Sequence, residues 1–423
     1  MGLYNELEWR DLVYDSTEGL SEVIEREPMT AYNGFDATGP SLHVGHLLPV
    51  VCLARLQRFG HTPIALVGGG TGLIGDPSGK SVERQLLTFE QVEQNALSIR
   101  GQLERFLDFG GSHPAQLVNN LEWLRPLGFL DFLRDVGKHF TVNYMMAKDS
   151  VKRRLGGDEG ISFTEFSYQL LQAYDYVVLH DRLHCNLQTG GSDQWGNITA
   201  GIDLIRKLRG GRAYGLVYPL ITNAAGTKFG KTEAGAVWLD PQLTSSFRFF
   251  QFWLNTDDRD VVKYLKFFTW LDREAIRALE RETAAAPERR EAQRVLAHEV
   301  TAMVHGVEQT QSAERASAVL FGSSLASATV EEILTVFDDV PSLELRRAQL
   351  ESGLPMAELV VSSGLAASKG EATRLIKQGG LYANDHRWLD ERGRVNLDHA
   401  IAGRVIVLRK GQRERRIVKI MVP

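Results

Sequence analysis

The order strand, helix, strand across residues 31–67 constrains this 423-residue chain more than any other feature. Ala31 to Phe35 alternates as a short apolar strand, and a Gly39-Pro40 turn follows. Ser41 then stands as the expected N-cap of a helix from His43 to about Phe59. Residues 62–67, T-P-I-A-L-V, read as a buried strand that ends in Gly68-Gly69-Gly70-Thr71-Gly72-Leu73-Ile74-Gly75-Asp76. Glycines at the carboxyl end of a parallel strand suit a backbone pressed against a ligand. The expected class is α/β.

The helix start carries His43 and His46, three apart on one face beside the positive end of the helix dipole. Gly45 between them leaves room for a flat ring to lie on the backbone. Free N–H groups at such an end favour phosphate, so a nucleotide site is expected. Taken alone, the tetrapeptide also reads as two ordinary histidines or as a metal pair. The only cysteines, Cys52 and Cys185, form no ligand spacing with it. Two other patterns nearby mislead. Gly70-x-Gly72-x-x-Gly75 matches a dinucleotide fingerprint but follows the second strand, and Gly75-to-Ser81 is one residue short of a Walker A loop.

A second cationic segment lies far downstream: Gly226-Thr227-Lys228-Phe229-Gly230-Lys231-Thr232. Two lysines among small and polar residues make a basic loop able to fold over a triphosphate and release it. Together with H-x-G-H, the K-x-x-K-T pattern resembles the paired signatures of class I aminoacyl-tRNA synthetases. In detail the chain resembles the bacterial tyrosyl-tRNA synthetase family. The matching stretches are Y-N-G-F-D-A-T-G-P-S-L-H-V-G-H from Tyr32, A-L-V-G-G-G-T-G-L-I-G-D-P-S-G-K with Glu83-Arg84, residues 161–175, residues 188–201 and G-T-K-F-G-K-T. They keep the family's order and spacing from near the start to the C-terminal tail.

From the residues themselves, 163–175 look helical, with Tyr168, Gln172 and Asp175 on one face. A buried face with Gln and Asp is costly unless each finds a partner, and a polar ligand would supply one. The resemblance implies that Tyr32 and Asp175 bind the phenolic hydroxyl of tyrosine. It further implies that Tyr168, Gln172 and Asp76 hold its ammonium, with Gln194 on the tyrosine side of the adenylate. Gly34, Asp36, Gly45, Gly191, Asp193 and Lys231 fall at its ATP-binding positions. Thr38, His43, His46, Lys228, Lys231 and Thr232 would act on the reacting phosphates, and Lys80 and Arg84 would approach the leaving pyrophosphate. The implied reaction is two-step: L-tyrosine with Mg-ATP gives tyrosyl-adenylate and pyrophosphate, then tyrosine passes to the terminal ribose of tRNA(Tyr). No structural metal is expected. Asn33, Asn223 and Ala225 depart from the family's frequent residues, and Pro49 sits early in the first helix.

The net charge of −5 conceals a division. Residues 351–423 hold thirteen Lys and Arg against eight Asp and Glu, a local +5 that leaves −10 on the rest. Residues 356–384 resemble an S4-type RNA-binding domain with Lys369, Arg374 and Lys377 on its helical part, and Arg404 to Lys419 alternates as a β-hairpin would. The expected layout is a Rossmann-like parallel-sheet catalytic domain over 1–232, with a connective, dimer-forming insertion at about 89–160. An α-helical domain over 233–324, a linker over 325–350 and a small α+β S4-like domain over 351–423 follow. Phe247 to Trp253 reads as aromatic core.

Acidic residues Glu6, Glu8, Asp11 and Asp15 argue against a signal peptide, and two cysteines suit a reducing cytoplasm. No apolar run approaches the roughly 20 residues of a membrane span. A homodimer is implied by the resemblance. The rival readings are tryptophanyl-tRNA synthetase, a non-catalytic RNA-binding paralogue, and an NAD-dependent oxidoreductase that rests on the misleading glycines alone.

Overall fold

The computed structural model describes residues 2–78, 86–156, 160–224, 226, 229–232, 235–320, 325, 329–338, 340–411 and 414–421. The chain forms two compact units, Met1–Thr244 with Phe252–Val304 and Ser245–Gln251 with His305–Pro423. No described helix is long and apolar enough to cross a membrane.

The first unit is built on a six-stranded sheet of β1 (Asp15–Ser16), β2 (Thr30–Asp36), β3 (Thr62–Gly68), β4 (Gln116–Asn119), β5 (Leu187–Gly191) and β6 (Tyr214–Tyr218). Their order is β1-β6-β5-β2-β3-β4, and every pairing is parallel except that of β1 with β6. Helix α1 (Val44–Arg58) returns β2 to β3, and α2 (Phe163–Leu183) leads into β5. Helix α3 (Trp195–Arg209) returns β5 to β6. Pro63 to Gly68 are all buried, as a strand covered on both faces requires. The chain leaves β2 toward β3 on one side and comes back to β5 on the other. That reversal opens a crevice at the carboxyl ends of β2 and β5.

Two local expectations are corrected. The N-cap of α1 is His43, not Ser41. The buried Ser41 hydroxyl bonds Leu42 O at 2.7 Å and accepts from Gln102 at 2.9 Å, so it is committed elsewhere. The segment at about 89–160 is also more than an insertion, because it holds β4, the edge strand paired with β3. Helices Phe89–Leu103 and Phe129–Asp135 lie within it.

Two buried arginines, Arg55 on α1 and Arg10 at the end of the helix Leu3–Trp9, reach the C-terminal end of the helix Asp258–Phe268. Arg55 donates to Thr269 O at 3.0 Å, and Arg10 donates to Lys266 O at 2.9 Å and Leu271 O at 2.7 Å. Cations suit the free carbonyls of a helix C-terminus. In the same unit Phe229 packs among Phe252, Trp253, Tyr264 and Phe268, with ring centroids 5.0–5.7 Å away. Beside it the short strands β7 (Lys231–Thr232) and β8 (Gly235–Ala236) pair antiparallel.

The second unit carries β9 (Ser342–Arg346), the short pair β10 (Leu354–Pro355) and β13 (Arg394–Val395), β11 (Leu381–Ala383), β12 (His386–Arg387), β14 (Val405–Lys410) and β15 (Glu414–Met421). Five of these make one sheet in the order β12-β11-β14-β15-β9, antiparallel except for β9 against β15. Helix α4 (Val330–Val336) lies on one sheet face with Ile333, Phe337, Val405, Val407 and Ile417 in a shared core. Helices α5 (Met356–Ser362) and α6 (Lys369–Lys377) cover the opposite face, burying Leu359, Ile376, Leu381, Leu408 and Val418. The expected linker over 325–350 is therefore corrected: among its described residues are α4 and the edge strand β9. Acidic residues and Pro341 punctuate that stretch, but Val330, Ile333 and Phe337 keep a helical spacing that buries them.

Candidate active site

At the carboxyl ends of β2 and β5 lies a cleft of about 690 Å³, within the range of small-molecule sites. Tyr32, Gly34, Asp36, Thr38, His43, Gly45, His46, Asp76, Tyr168, Gln172, Asp175, Gly191, Asp193 and Gln194 all border it. Lys80, Arg84 and Lys228 lie outside the described residues. Lys369, Arg374 and Lys377 belong to the second unit, on α6.

One end of the cleft is a polar network closed over by aromatic rings. Tyr32 is 1% exposed and its hydroxyl has no hydrogen-bond partner among the described residues. Burial, then the neighbouring Asp175, pushes that hydroxyl well above its ordinary pKa. Asp175 accepts from Asn120 Nδ2 at 2.9 Å and from Trp123 Nε1 at 2.7 Å. Burial raises its carboxyl to about 7, against the opposing pull of those two donors. Asn120 also reaches Thr71 Oγ1 at 3.0 Å, and Thr71 donates to Asp36 at 2.7 Å. Tyr168 donates to the other Asp36 oxygen at 2.9 Å. Asp36, expected on the ATP side, is thus held by Thr71 and by Tyr168, a residue expected on the tyrosine side.

A second network adjoins it. Gln194 Nε2 donates to Asp76 at 2.7 Å, and Asn197 Nδ2 donates to Gln172 at 3.1 Å and to Gln194 at 3.2 Å. Helix α2 places Tyr168, Gln172 and Asp175 on one face, and the start of α3 supplies Asn197. Thr71, Asn120, Trp123 and Asn197 were not singled out from sequence. For Asn120 and Trp123 the signal available was a polar pair directly after an apolar stretch, with Trp one helical turn on.

The other end is the start of α1. His43 Nδ1 accepts from Gly45 N at 3.0 Å, and His46 Nδ1 accepts from His43 N at 3.2 Å. An accepting Nδ1 leaves the proton of each neutral ring on Nε2. The rings stack with centroids 4.0 Å apart. A Cβ on Gly45 would lie 2.7 Å from His43 Cε1, so the ring that glycine accommodates is the neighbouring histidine's. Gly230 (φ +78°) lies against this helix start, where a Cβ would stand 2.6 Å from Val44 Cγ2. Val44 N donates to Val237 O at 2.9 Å, and Leu239 N to Leu42 O at 2.8 Å. The start of α1 is therefore held by backbone bonds to residues 237–239 and approached closely by Gly230 of the second signature, with β7 beginning at Lys231 directly after that glycine. Among the described residues no group of three acidic, His or Cys side chains could hold a metal ion.

A nucleotide-sized cleft at the switch point of a parallel sheet, with two distant signatures joined at one helix start, is that of a class I aminoacyl-tRNA synthetase. Residues 25–322 match the family profile described as tRNA synthetases class I (W and Y), and residues 332–418 match the tyrosine--tRNA ligase SYY-like C-terminal domain. The chain is 57% identical to the tyrosine--tRNA ligase of Roseiflexus castenholzii over 99% of both chains. To that of Geobacillus stearothermophilus it is 51% identical over 99% of this chain and 100% of the relative. Among solved structures it resembles a C-terminally truncated mitochondrial tyrosyl-tRNA synthetase of Aspergillus nidulans (TM-score 0.69, 30% identity, 76% of this chain and 94% of that one). The chain belongs to the tyrosine--tRNA ligase family.

Proposed function

We propose that the chain ligates L-tyrosine to tRNA(Tyr) in two steps within this cleft, with Mg²⁺ arriving on the ATP substrate. The tyrosine carboxylate attacks the α-phosphorus, a C–O–P linkage forms and pyrophosphate leaves. The adenylate then yields tyrosine to a ribose hydroxyl of the tRNA terminus as AMP departs. The buried Tyr32 hydroxyl beside Asp175, unpartnered among the described residues, supports this reading best, because a phenol fits a site with one free donor-acceptor and one carboxylate. Asp76, Tyr168 and Gln172 form the ammonium end, assisted by Gln194. Gly34, Asp36, Gly45, Gly191 and Asp193 form the ATP side.

A carboxylate nucleophile is ionised at neutral pH, so the first step needs alignment and charge stabilisation rather than a general base. Thr38 and the Nε2–H groups of His43 and His46 face the phosphates from α1. Lys228, Lys231 and Thr232 act from the opposite segment, and Lys80 and Arg84 act on pyrophosphate. The protein works in the cytoplasm as a homodimer. Phe129, Leu130, Val142 and Phe163 are each 60% or more exposed, apolar surface of the kind a second copy would cover.

Pyrophosphate exchange run with each of the twenty amino acids tests the substrate, and tyrosine alone should support it. Single-turnover adenylate formation in His43→Ala and Lys231→Ala tests the roles. Each variant should lose about 3–4 kcal/mol of transition-state stabilisation with little change in tyrosine affinity. A rate within about twofold of the parent would remove that residue from the chemistry.

A further inference from the structure

Trp238 belongs to neither signature, yet it stands directly across from His43. The two residues form an antiparallel bridge, flanked by the bonds Val44 N to Val237 O at 2.9 Å and Leu239 N to Leu42 O at 2.8 Å. Their own N–H groups go elsewhere, to His46 Nδ1 at 3.2 Å and to Thr244 Oγ1 at 3.0 Å. A pair with backbone bonds on either side and none within it is the closer kind of antiparallel pairing, in which opposed side chains approach most nearly. The two ring centroids lie 6.0 Å apart, inside the range of aromatic contact, and both residues border the cleft.

The restraints on His43 within α1 all belong to one turn. Its Nδ1 accepts from Gly45 N at 3.0 Å, and its ring stacks on His46 at 4.0 Å. The last torsion of a histidine has broad wells, so a ring gripped at one nitrogen can still tilt. Trp238 reaches the imidazole from a distant segment that is itself fixed. Thr244, which accepts from Trp238 N, is buried, and its own N–H bonds Asp240 O at 2.9 Å. A Cβ on Gly39 would lie 3.7 Å from Trp238 Cζ3, so the outer ring of the indole rests at the turn between β2 and α1. Val237 N donates to Gly230 O at 3.1 Å, which ties the segment to the second signature.

We propose that Trp238 is a positioning residue for adenylate formation: its ring sets the tilt of His43, and with it the direction of the Nε2–H offered to ATP. The proposal rests on the reading that His43 acts on the reacting phosphates. A donor aimed at developing charge is worth most when its ring is held, and a misplacement of about 1 Å can cost a hundredfold. Trp238 reaches the reaction through His43, which separates it from a residue that binds the nucleotide. Since residues 237–239 are also bonded to Gly230, the same ring contact aligns the histidine with the second signature.

The test is single-turnover adenylate formation in Trp238→Leu and Trp238→Phe, each made in the parent and in His43→Ala. Leucine keeps apolar bulk without the flat ring. Trp238→Leu should be slower than the parent by about ten- to a hundredfold at saturating ATP, with the ATP KM and tyrosine affinity within about twofold. Trp238→Phe restores a ring against His43 and should recover to within about threefold of the parent. In the His43→Ala background, Trp238→Leu should cost no more than about twofold further, because a residue acting through another loses its effect when that other is gone. A Trp238→Leu rate within about twofold of the parent overturns the proposal. So does an equal loss in both backgrounds, a phenylalanine variant as slow as the leucine one, or a raised ATP KM that accounts for the slowing. Variants whose rates merely follow a lowered Tm assign Trp238 to the fold and also overturn it. A His43→Ala protein as fast as the parent refutes instead the reading of His43 beneath the proposal, a result the Trp238 variants alone could not give.

Discussion

Replacing Tyr32 with Phe should move stability and function in opposite directions. The hydroxyl sits at a residue 1% exposed and has no partner among the described residues, so the unliganded fold bears its desolvation, about 1–3 kcal/mol. Phenylalanine keeps the ring, including the edge contact with Tyr176 at 5.2 Å, and removes only the orphaned oxygen. The unliganded protein should gain on the order of 1 kcal/mol, raising Tm by about 1–2 °C. If Tyr32 bonds the substrate phenol as proposed, the variant loses a net 0.5–1.5 kcal/mol there, so tyrosine should bind about two- to twelvefold more weakly. Phenylalanine gains nothing from that bond, so selectivity should narrow by the same factor. Thermal unfolding with and without tyrosine, and exchange kinetics with both amino acids, measure each quantity. A Tyr32→Phe protein with a lower Tm and an unchanged tyrosine KM would refute the phenol-reading role.

Asp175 should make the protein sensitive to pH in two opposed ways. Its carboxyl is raised to about 7 in the fold by burial. The folded state therefore holds the proton more tightly than the unfolded chain does. Unliganded stability should be full below pH ~4 and fall by on the order of 4 kcal/mol as pH rises through about 7, a decline that Asp175→Asn abolishes in denaturant titrations. Tyrosine binding should run the other way, with KM rising below pH ~7 as the anionic acceptor is lost. Phe229→Ala empties a socket lined by four aromatic residues and should cost about 3–5 kcal/mol. Gly230→Ala places a Cβ 2.6 Å from Val44 Cγ2. Both variants should slow single-turnover adenylate formation more than they weaken tyrosine binding, and equal effects on both would contradict the anchoring.

The parallel sheet was legible because β3 is apolar through its whole length and α1 follows β2 after a turn. Tyr168, Gln172 and Asp175 were legible because a helix repeats every 3.6 residues, so their spacing alone sets them on one face. Asn120, Trp123 and Asn197 were not, since each matters through a partner on another element that no local period announces. Ser41 misled for a related reason. It has the chemistry of a cap, but a buried Gln102 from another helix claims its hydroxyl, and the cap passes to a histidine. Trp238 was invisible because register between two segments, rather than either segment's own pattern, brings it opposite His43.

The seam between α1 and residues 230–239 also bears on how the protein comes into being. Val44 N meets Val237 O and Leu42 O meets Leu239 N, so the nucleotide end of the cleft closes only through partners far apart along the polypeptide. During synthesis the strands from β2 to β6 can emerge and assemble while that wall is still missing. A half-made polypeptide can therefore hold most of the sheet yet have nowhere to seat a triphosphate until the seam has cleared the ribosome. A chain cut before residue 237 should lack that wall, and with it the partners of Arg10, Arg55 and Phe229 further along the same unit.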